Sequence, residues 1–448
     1  MRLPNNYALA RRRLELLKRR LLKDDELRAK YSAVMRDHLA KGYVSRHMGD
    51  REVGSWYLPH HPVLNPNKPG KVRIVFDCAA QYMGHSLNTE LLSGPVLTND
   101  LTGVLLRFRK YPVALCADIQ EMFLQVEVPK NDRKTLSFLW WCDEEFRSKP
   151  SIHNMNIHPF GTTSSPFCAT SALRRAAFDH SQGSEDKCLN AVLENFYVDD
   201  CLISVSTIGE GIELADGLRK LLANGGFWLV KWISNCSEAL RNIPVSERVE
   251  SSSEFSCSMK AEQGTLGLRW VIASDSFRVA LVLPQKPPTR RGILSCVASL
   301  YDPLGFTTPL TLPVRQLLQE LCKSSIGWDS SLPPAYIERW QRWLTDIQSV
   351  VTLRVPRHIG LLGLNASEAQ LHVFSDATVT SYGIVGYLRV RNGGGVSCHF
   401  LLGKSRVCPR KISTISKTEL VAAVLAVKLN KHIVKEPRYP LDNSIVLP

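Results

Sequence analysis

The sequence predicts an α/β (α+β) protein of several domains, and three observations carry that prediction. Short β-prone apolar runs recur along the chain, at 71–77, 111–119, 227–232 and 371–376. Between them lie stretches such as 9–41, 208–223 and 416–430, whose apolar residues return at helical spacing. The third is size: 448 residues, 44% hydrophobic and 22% charged, can bury the cores of two to four domains.

Lys+Arg number 56 against 42 Asp+Glu, a net charge of +14. The first fifty residues hold 13 basic and 6 acidic side chains, a net +7, so half of the excess sits at the N-terminal end. Such a balance points to a polyanionic partner, most simply nucleic acid. The 12 cysteines are scattered singly, without a Cys-x-x-Cys pair, and read as reduced core thiols of an intracellular protein. No apolar run approaches ~18 residues and no basic-then-apolar leader follows Met1, so neither a membrane span nor a secretory signal is expected.

In chain order, 9–41 reads as one or two basic helices with Leu14, Leu17 and Leu21 on one stripe. Residues 56–63 and 71–77 form a hairpin through an Asn/Pro/Gly turn, with Lys68, Lys71 and Arg73 at its tip and on its return strand. The apolar run 111–119 is a buried strand that delivers Asp118 to its C-terminal edge. Residues 123–128 and 135–140 alternate like paired strands. The turn from Pro159 to Pro166 opens a helix with Ser164 or Ser165 as N-cap, and Gly161 just before it lets another molecule approach the backbone closely. Residues 195–205 are two β-prone runs around Asp199-Asp200, a hairpin with acid at its turn. A helix over 208–223, strands over 227–232 and 265–270, and a basic break at 284–291 follow. Three helical patterns occupy 292–350, interrupted at 302–305 and 327–334. Strands over 371–376, 382–390 and 396–403 then lead to a helix carrying Glu419 in its first turn.

Asp118 and the Asp199-Asp200 pair lie on separate strands, 199 − 118 = 81 residues apart. Adjacent carboxylates repel, and apolar neighbours solvate them poorly, so a divalent cation is the natural counter-charge. Brought together on neighbouring strands, the three could hold two Mg²⁺ ions, one for an attacking 3′-oxygen and one for a leaving triphosphate.

At these residues the chain resembles the reverse transcriptase region of long-terminal-repeat retrotransposon polyproteins, most closely the BEL/Pao group. Tyr197-Val198-Asp199-Asp200 is similar to the Tyr-x-Asp-Asp box, and Asp118-Ile119-Gln120-Glu121-Met122-Phe123 to the first palm motif. Ser299-Leu300-Tyr301-Asp302-Pro303-Leu304-Gly305 and Trp328-Asp329 resemble the stretch that follows the polymerase in Pao elements. The resemblance implies a right-hand polymerase: a basic helical segment at 1–50, fingers and palm at 51–235, a primer-grip strand and helical thumb/connection region at 236–367, and a truncated ribonuclease H-like domain at 368–448. It implies RNA-directed DNA polymerase activity on an RNA or DNA template-primer with dNTPs, in a cytoplasmic element particle or the nucleus. Asp118, Asp199 and Asp200 would be the catalytic metal ligands for two Mg²⁺ ions, which Mn²⁺ could replace. Lys68, Arg73, Phe123, Gly161 and Lys231 would line the nucleotide site, with Phe123 excluding a ribose 2′-OH, and Leu266 and Gly267 would belong to the primer grip. Phe160 stands where many retroviral enzymes have Gln.

Asp376 and Glu419 resemble the opening half of a ribonuclease H site. Only about eighteen residues follow Asn430, too few for both the strand and the helix that complete such a site; no hybrid cleavage is expected, and Asp442 has no aligned role. Two other readings compete: a domesticated, inactive nucleic-acid-binding remnant, and an aspartic peptidase, against which stands the absence of any Asp-Ser/Thr-Gly triplet.

Overall fold

The computed structural model describes residues 3–47, 56–64, 70–143, 145–183, 186–249, 254–256, 268–279, 281, 283–324, 326–360, 368–392, 395–409 and 414–447. They divide into two compact units: Met1–Thr98, Ile119–Leu189 and Lys220–Trp228 form one, and Asn99–Asp118, Asn190–Arg219 and Leu229–Pro448 the other. Among the described residues no helix is long and apolar enough to cross a membrane.

In the first unit, helices Tyr7–Leu21 and Asp25–Ala40 carry the expected basic segment, with Ala10, Leu14, Leu17 and Leu21 buried on one stripe. Asp24 caps the second helix by accepting from the Leu27 amide at 2.9 Å. Strands His60–Leu64 and Val72–Phe76 pair antiparallel as the predicted hairpin. Two expectations fail here. Residues 122–125 are a single 3-10 turn, because Glu121 enters the left-handed region (φ 50°) and ends the extended run. The strand Ser137–Trp140 instead pairs with Ser151–Met155, whose polar composition gave little apolar signal.

At the centre of this core His60 Nε2 meets the Leu139 carbonyl at 2.9 Å and so must donate to it, leaving Nδ1 to accept from the Tyr31 hydroxyl at 2.5 Å. Phe76, Phe138 and Trp140 surround the ring.

In the second unit the Leu101–Phe108 helix, the four-stranded sheet around Val113–Ile119, and a sheet containing Leu268–Val271 and Ser276–Val279 share one core. Helices Arg290–Ala298, Thr308–Lys323 and Pro334–Gln348 fill the three expected helical patterns. The Asp302-Pro303-Leu304-Gly305 break is a built turn: Asp302 accepts from the amides of Gly305 and Thr307 and from the Thr307 hydroxyl at 2.5–2.8 Å. The turn docks on strand Gly395–Val407, where the Gly403 amide donates to Leu304. A Cβ on Gly305 (φ 81°) would lie 1.9 Å from the Gly403 carbonyl oxygen.

The C-terminal sheet has Ala369–Ala377 at its centre, antiparallel to Ser381–Asn392, which pairs on with Gly395–Val407. Helix Ile415–Lys435 covers the face carrying Leu371 and Val373. The expectation that too few residues remain for both missing elements is corrected for the strand: Asn443–Leu447 pairs parallel with Gln370–Phe374. Pro437 and Pro440 lie in the loop before it and leave the strand itself free to pair.

Two measurements follow. Burial lowers the His60 pKa to about 4, against a lesser opposing effect of its bond to Leu139. Between pH ~6.5 and that value the unfolded chain therefore binds the extra proton, and stability should fall on acidification through this window by roughly 3 kcal/mol from this group. Urea unfolding at pH 7 and 4.5 should show a shallower loss in His60→Gln; equal slopes would remove His60 as a source. Gly305→Ala should cost about 2–4 kcal/mol in the same assay, through its left-handed backbone and the collision with Gly403, and a neutral effect would mean that the turn does not bear on Gly403.

Candidate active site

The sheet that holds the predicted carboxylates runs in the order Phe196–Tyr197, Asp200–Val205, Val113–Ile119, Leu229–Ser234. All seven residues of Val113–Ile119 are buried, as expected of a central strand. Its register with the next strand runs from Val113 opposite Val205 to Asp118 opposite Asp200. Directly opposed residues project to one face with Cα atoms about 4.5–5.5 Å apart. Two carboxylates contributed 82 residues apart in sequence (200 − 118) thus share one end of one face.

Tyr197 pairs with Asp200, leaving Val198 and Asp199 as the two turn residues. Val198 has φ 55°, a conformation that two-residue hairpins demand and Gly or Asn normally supplies. A β-branched residue there stores on the order of 1–3 kcal/mol of strain. Neighbours over-determine it: the Asn195 side-chain amide donates to the Leu202 carbonyl at 3.1 Å, the Leu202 amide returns to Asn195 at 3.0 Å, and the Asn99 side chain donates to Phe196 at 2.8 Å. None of these asparagines was singled out in the sequence; Asn195, next to the motif, was the only one with a local signal.

Lys231 is also left-handed (φ 58°), an irregularity inside strand Leu229–Ser234. Its ammonium lies 2.5 Å from Asp118 Oδ2; Asp118 is buried, whereas the lysine side chain is 58% exposed. The resemblance implies a place at the nucleotide for Lys231; in the structure its ammonium pairs with Asp118. Tyr301, from the Ser299–Gly305 stretch, lies near Tyr197 and Asp100. Its phenol pKa is raised first by burial and then by Tyr197 and Asp100.

Carboxylate oxygens are the donors that Mg²⁺ and Mn²⁺ prefer, so the chemistry of Asp118, Asp199 and Asp200 fits such an ion. Among the described residues, however, no three His, Cys, Asp or Glu side chains are gathered closely enough to hold a metal. Lys231 already supplies positive charge to Asp118.

The other predicted nucleotide-site residues that the structure describes belong to the first unit. Arg73 is exposed on the Val72–Phe76 strand. Phe123 is 9% exposed and meets the 43%-exposed Phe160 edge-to-face, with ring centroids 4.7 Å apart. Gly161 has φ 106°, and a Cβ there would lie 3.0 Å from the Phe76 carbonyl oxygen, so its backbone approach is to this chain's own hairpin. Ser164 occupies the N-cap position of helix Ser165–His180 but makes no side-chain capping bond. Lys68, Leu266 and Gly267 lie outside the described residues.

Asp376 and Glu419 are both exposed, and among the described residues neither belongs to a group of three acids, histidines or cysteines that could hold a metal. Asp442 sits at the other end of the sheet, its amide bonded to the Ala369 carbonyl at 2.8 Å and its carboxylate 3.4 Å from the Gln370 side chain. Six residue steps along the strand separate Gln370 from Asp376, about 20 Å, so Asp442 does not complete that site.

Residues 289–447 match the family described as the Pao retrotransposon-like RNaseH-like domain. Comparison with curated proteins yields no match. The fold is similar to that of a foamy viral protease-reverse transcriptase, solved as a dRH form with double-stranded DNA (TM-score 0.58, 17% identity) and with an RNA/DNA hybrid (TM-score 0.57, 17% identity). Each alignment covers 94% of this chain, but only 62% and 48% of the respective foamy viral chains. Together the family match and the fold support the retroelement assignment made from the sequence.

The strain at Val198 is measurable. Val198→Asn, which tolerates the left-handed region, should raise the unfolding free energy by about 1 kcal/mol in denaturant titration. A loss of similar size would show the turn to be unstrained.

Proposed function

We propose that this chain is the templated DNA polymerase of a Pao-type retroelement, an RNA-directed DNA polymerase that extends a primer on RNA or DNA with dNTPs. The observation that carries the reading is the register of Asp118 against Asp200, with Asp199 on a strained turn beside them. Strain held in place by its surroundings beside opposed carboxylates supports this reading, since a solvated acidic turn would relax it.

Asp118, Asp199 and Asp200 would hold Mg²⁺ or Mn²⁺, which when bound supplies charge neutralisation to the attacking 3′-oxygen and the triphosphate. Lys231 orients Asp118 from the solvent side, and its long exposed side chain can turn toward a phosphate without backbone movement. Arg73 is exposed on its strand, and the family resemblance would assign it to a nucleotide phosphate. Phe123 would bar the 2′-hydroxyl of a ribonucleotide by bulk. Template and primer would be held largely through their phosphates by the +14 net charge. The ribonuclease H-like portion is expected not to cleave hybrids in this chain, because Asp376 and Glu419 make only part of a two-metal cage.

The Lys231–Asp118 pair also favours a second reading, in which the ammonium has replaced the metal and the chain is a nucleic-acid-binding remnant.

Extension of a DNA primer on an RNA template with Mg²⁺ and dNTPs separates the two. Asp199→Asn should lower extension by about 10²–10³-fold, while primer-template binding, read by fluorescence anisotropy, stays within a few-fold. Binding without extension by the wild type would favour the remnant.

A further inference from the structure

Phe160 departs from the family pattern, and the structure gives the departure a physical setting. Phe123 stands on the one-turn segment Met122–Gln125, directly after the left-handed Glu121. Glu121 is anchored by the Tyr43 hydroxyl at 3.0 Å and the Lys41 ammonium at 3.4 Å, which fixes the backbone under the ring. A backbone anchor does not fix the ring itself, since a phenylalanine retains staggered χ1 wells and a broad χ2. Phe160 supplies what is missing. Its ring meets Phe123 at an interplanar angle of 65° and a centroid distance of 4.7 Å, the edge-to-face arrangement that ring quadrupoles favour.

Phe160 can do this because its own turn is clamped. The Asn88 side-chain amide donates to the Gly161 carbonyl at 2.9 Å, and the Asn88 side-chain oxygen accepts from the Thr163 amide at 3.0 Å, so one side chain bridges the turn. The Ser165 hydroxyl donates to the Pro159 carbonyl at 2.9 Å from the other side. Asn88 is fixed in turn by helix Leu87–Glu90, whose first turn is closed by a reciprocal Ser86–Thr89 capping box, and by its amide bond to Cys78 at 3.0 Å. Gly161 (φ 106°) allows the turn to pass within reach of the Phe76 backbone.

We propose that Phe160 is a positioning residue for sugar discrimination: it locks the Phe123 ring, so that selection of 2′-deoxyribonucleoside triphosphates depends on a pair of rings fixed by Asn88. The inference rests on the polymerase reading above. A glutamine at this position could offer hydrogen bonds but no ring edge to hold Phe123. Sugar discrimination in this chain therefore comes from restricting one ring's rotamers with another, and the lock is as good as the Asn88 bridge.

Single-turnover extension of a DNA primer on an RNA template by the full chain, with each dNTP and its rNTP counterpart, gives a discrimination ratio in which general losses of rate cancel. Phe160→Ala should lower that ratio about tenfold or more, and Asn88→Ala, which touches neither ring, should lower it in the same direction by about three-fold or more. Phe160→Tyr, which keeps the ring, should restore the wild-type ratio. The fall should appear in nucleotide affinity for the ribonucleotide, with base-pairing fidelity unchanged, whereas a merely structural defect would slow all nucleotides alike and lower the thermal midpoint. An unchanged ratio in extending Phe160→Ala and Asn88→Ala overturns the proposal and leaves the polymerase reading standing. If Phe160→Ala does not fold, Asn88→Ala decides alone. A wild type that binds primer-template but does not extend it overturns both.

Discussion

Arg357 carries a full positive charge into a site without solvent access, and all five of its N–H groups are used. Two go to the Asp275 carboxylate at 2.7 and 2.8 Å; the others reach the carbonyls of Phe108, Tyr111 and Pro112 at 2.6–2.8 Å. Those three carbonyls belong to the turn that feeds strand Val113–Ile119, so the guanidinium sets where the Asp118 strand begins. Asp275 can face it because its own backbone is left-handed (φ 43°), a conformation Asp tolerates, and the Trp270 indole donates to it at 2.8 Å. Beside this pair Arg109, equally buried, donates to the carbonyls of Arg357 and Phe400 at 3.2 and 2.7 Å. Burial pulls its pKa down to about 10, which still leaves it charged at neutral pH. Deleting one partner of such a pair typically costs 3–5 kcal/mol because the other is left charged and dry. Within its unit this cluster ties the carboxylate strand, the Ser276–Val279 sheet and the ribonuclease H-like sheet into one body.

A rigid base of that kind explains why strain can persist at the other end of the same sheet. Val198 and Lys231 each hold a conformation that their side chains disfavour, the first in the acid turn and the second on strand Leu229–Ser234 beside Asp118. Left alone, a two-residue turn with valine at φ 55° would relax by slipping register, and a slip by one residue would turn Asp200 to the opposite face. The buried Val113–Ile119 strand prevents the slip, since every side chain on it is committed to the core. Ser204 adds a pin, donating to the Arg107 carbonyl at 2.8 Å and accepting from the Tyr111 amide at 3.2 Å. Register, rather than the motif alone, is what brings Asp118 and Asp200 together.

This division also decides what could be read from the amino-acid sequence. The strand before Asp118 was legible because it is buried on both faces and therefore apolar throughout, and the acid hairpin because β-prone residues flank it. The basic helices and the three later helices were legible from their apolar spacing. Residues 123–128 misled because their alternation was genuine while the backbone was set by a left-handed Glu121, held by Tyr43 and Lys41 from a distant segment. Ser151–Met155 was missed because its strand pairing buries histidine and methionine among polar neighbours instead of an apolar run. Arg357, Arg109 and Asn88 gave no signal at all: their partners are carbonyls and side chains remote in sequence, and a lone arginine or asparagine is normally solvated. The pairing of Lys231 with Asp118 was hidden for the same reason, although both residues were singled out.

The ribonuclease H-like sheet shows how register can exclude a residue as firmly as it recruits one. Because Asn443–Leu447 runs parallel to Ala369–Ala377, equal steps along both strands stay level, with Gln370 beside Asn443 and Phe374 beside Leu447. Asp442 is therefore fixed at the edge where the central strand starts, and Asp376 near the edge where it ends. No side-chain rotation spans the intervening strand, since an aspartate reaches only a few ångströms and the separation is about 20 Å. The register alone thus keeps Asp442 from serving Asp376 and Glu419. Composition alone, with an aspartate nearby in the sequence, points to the wrong residue.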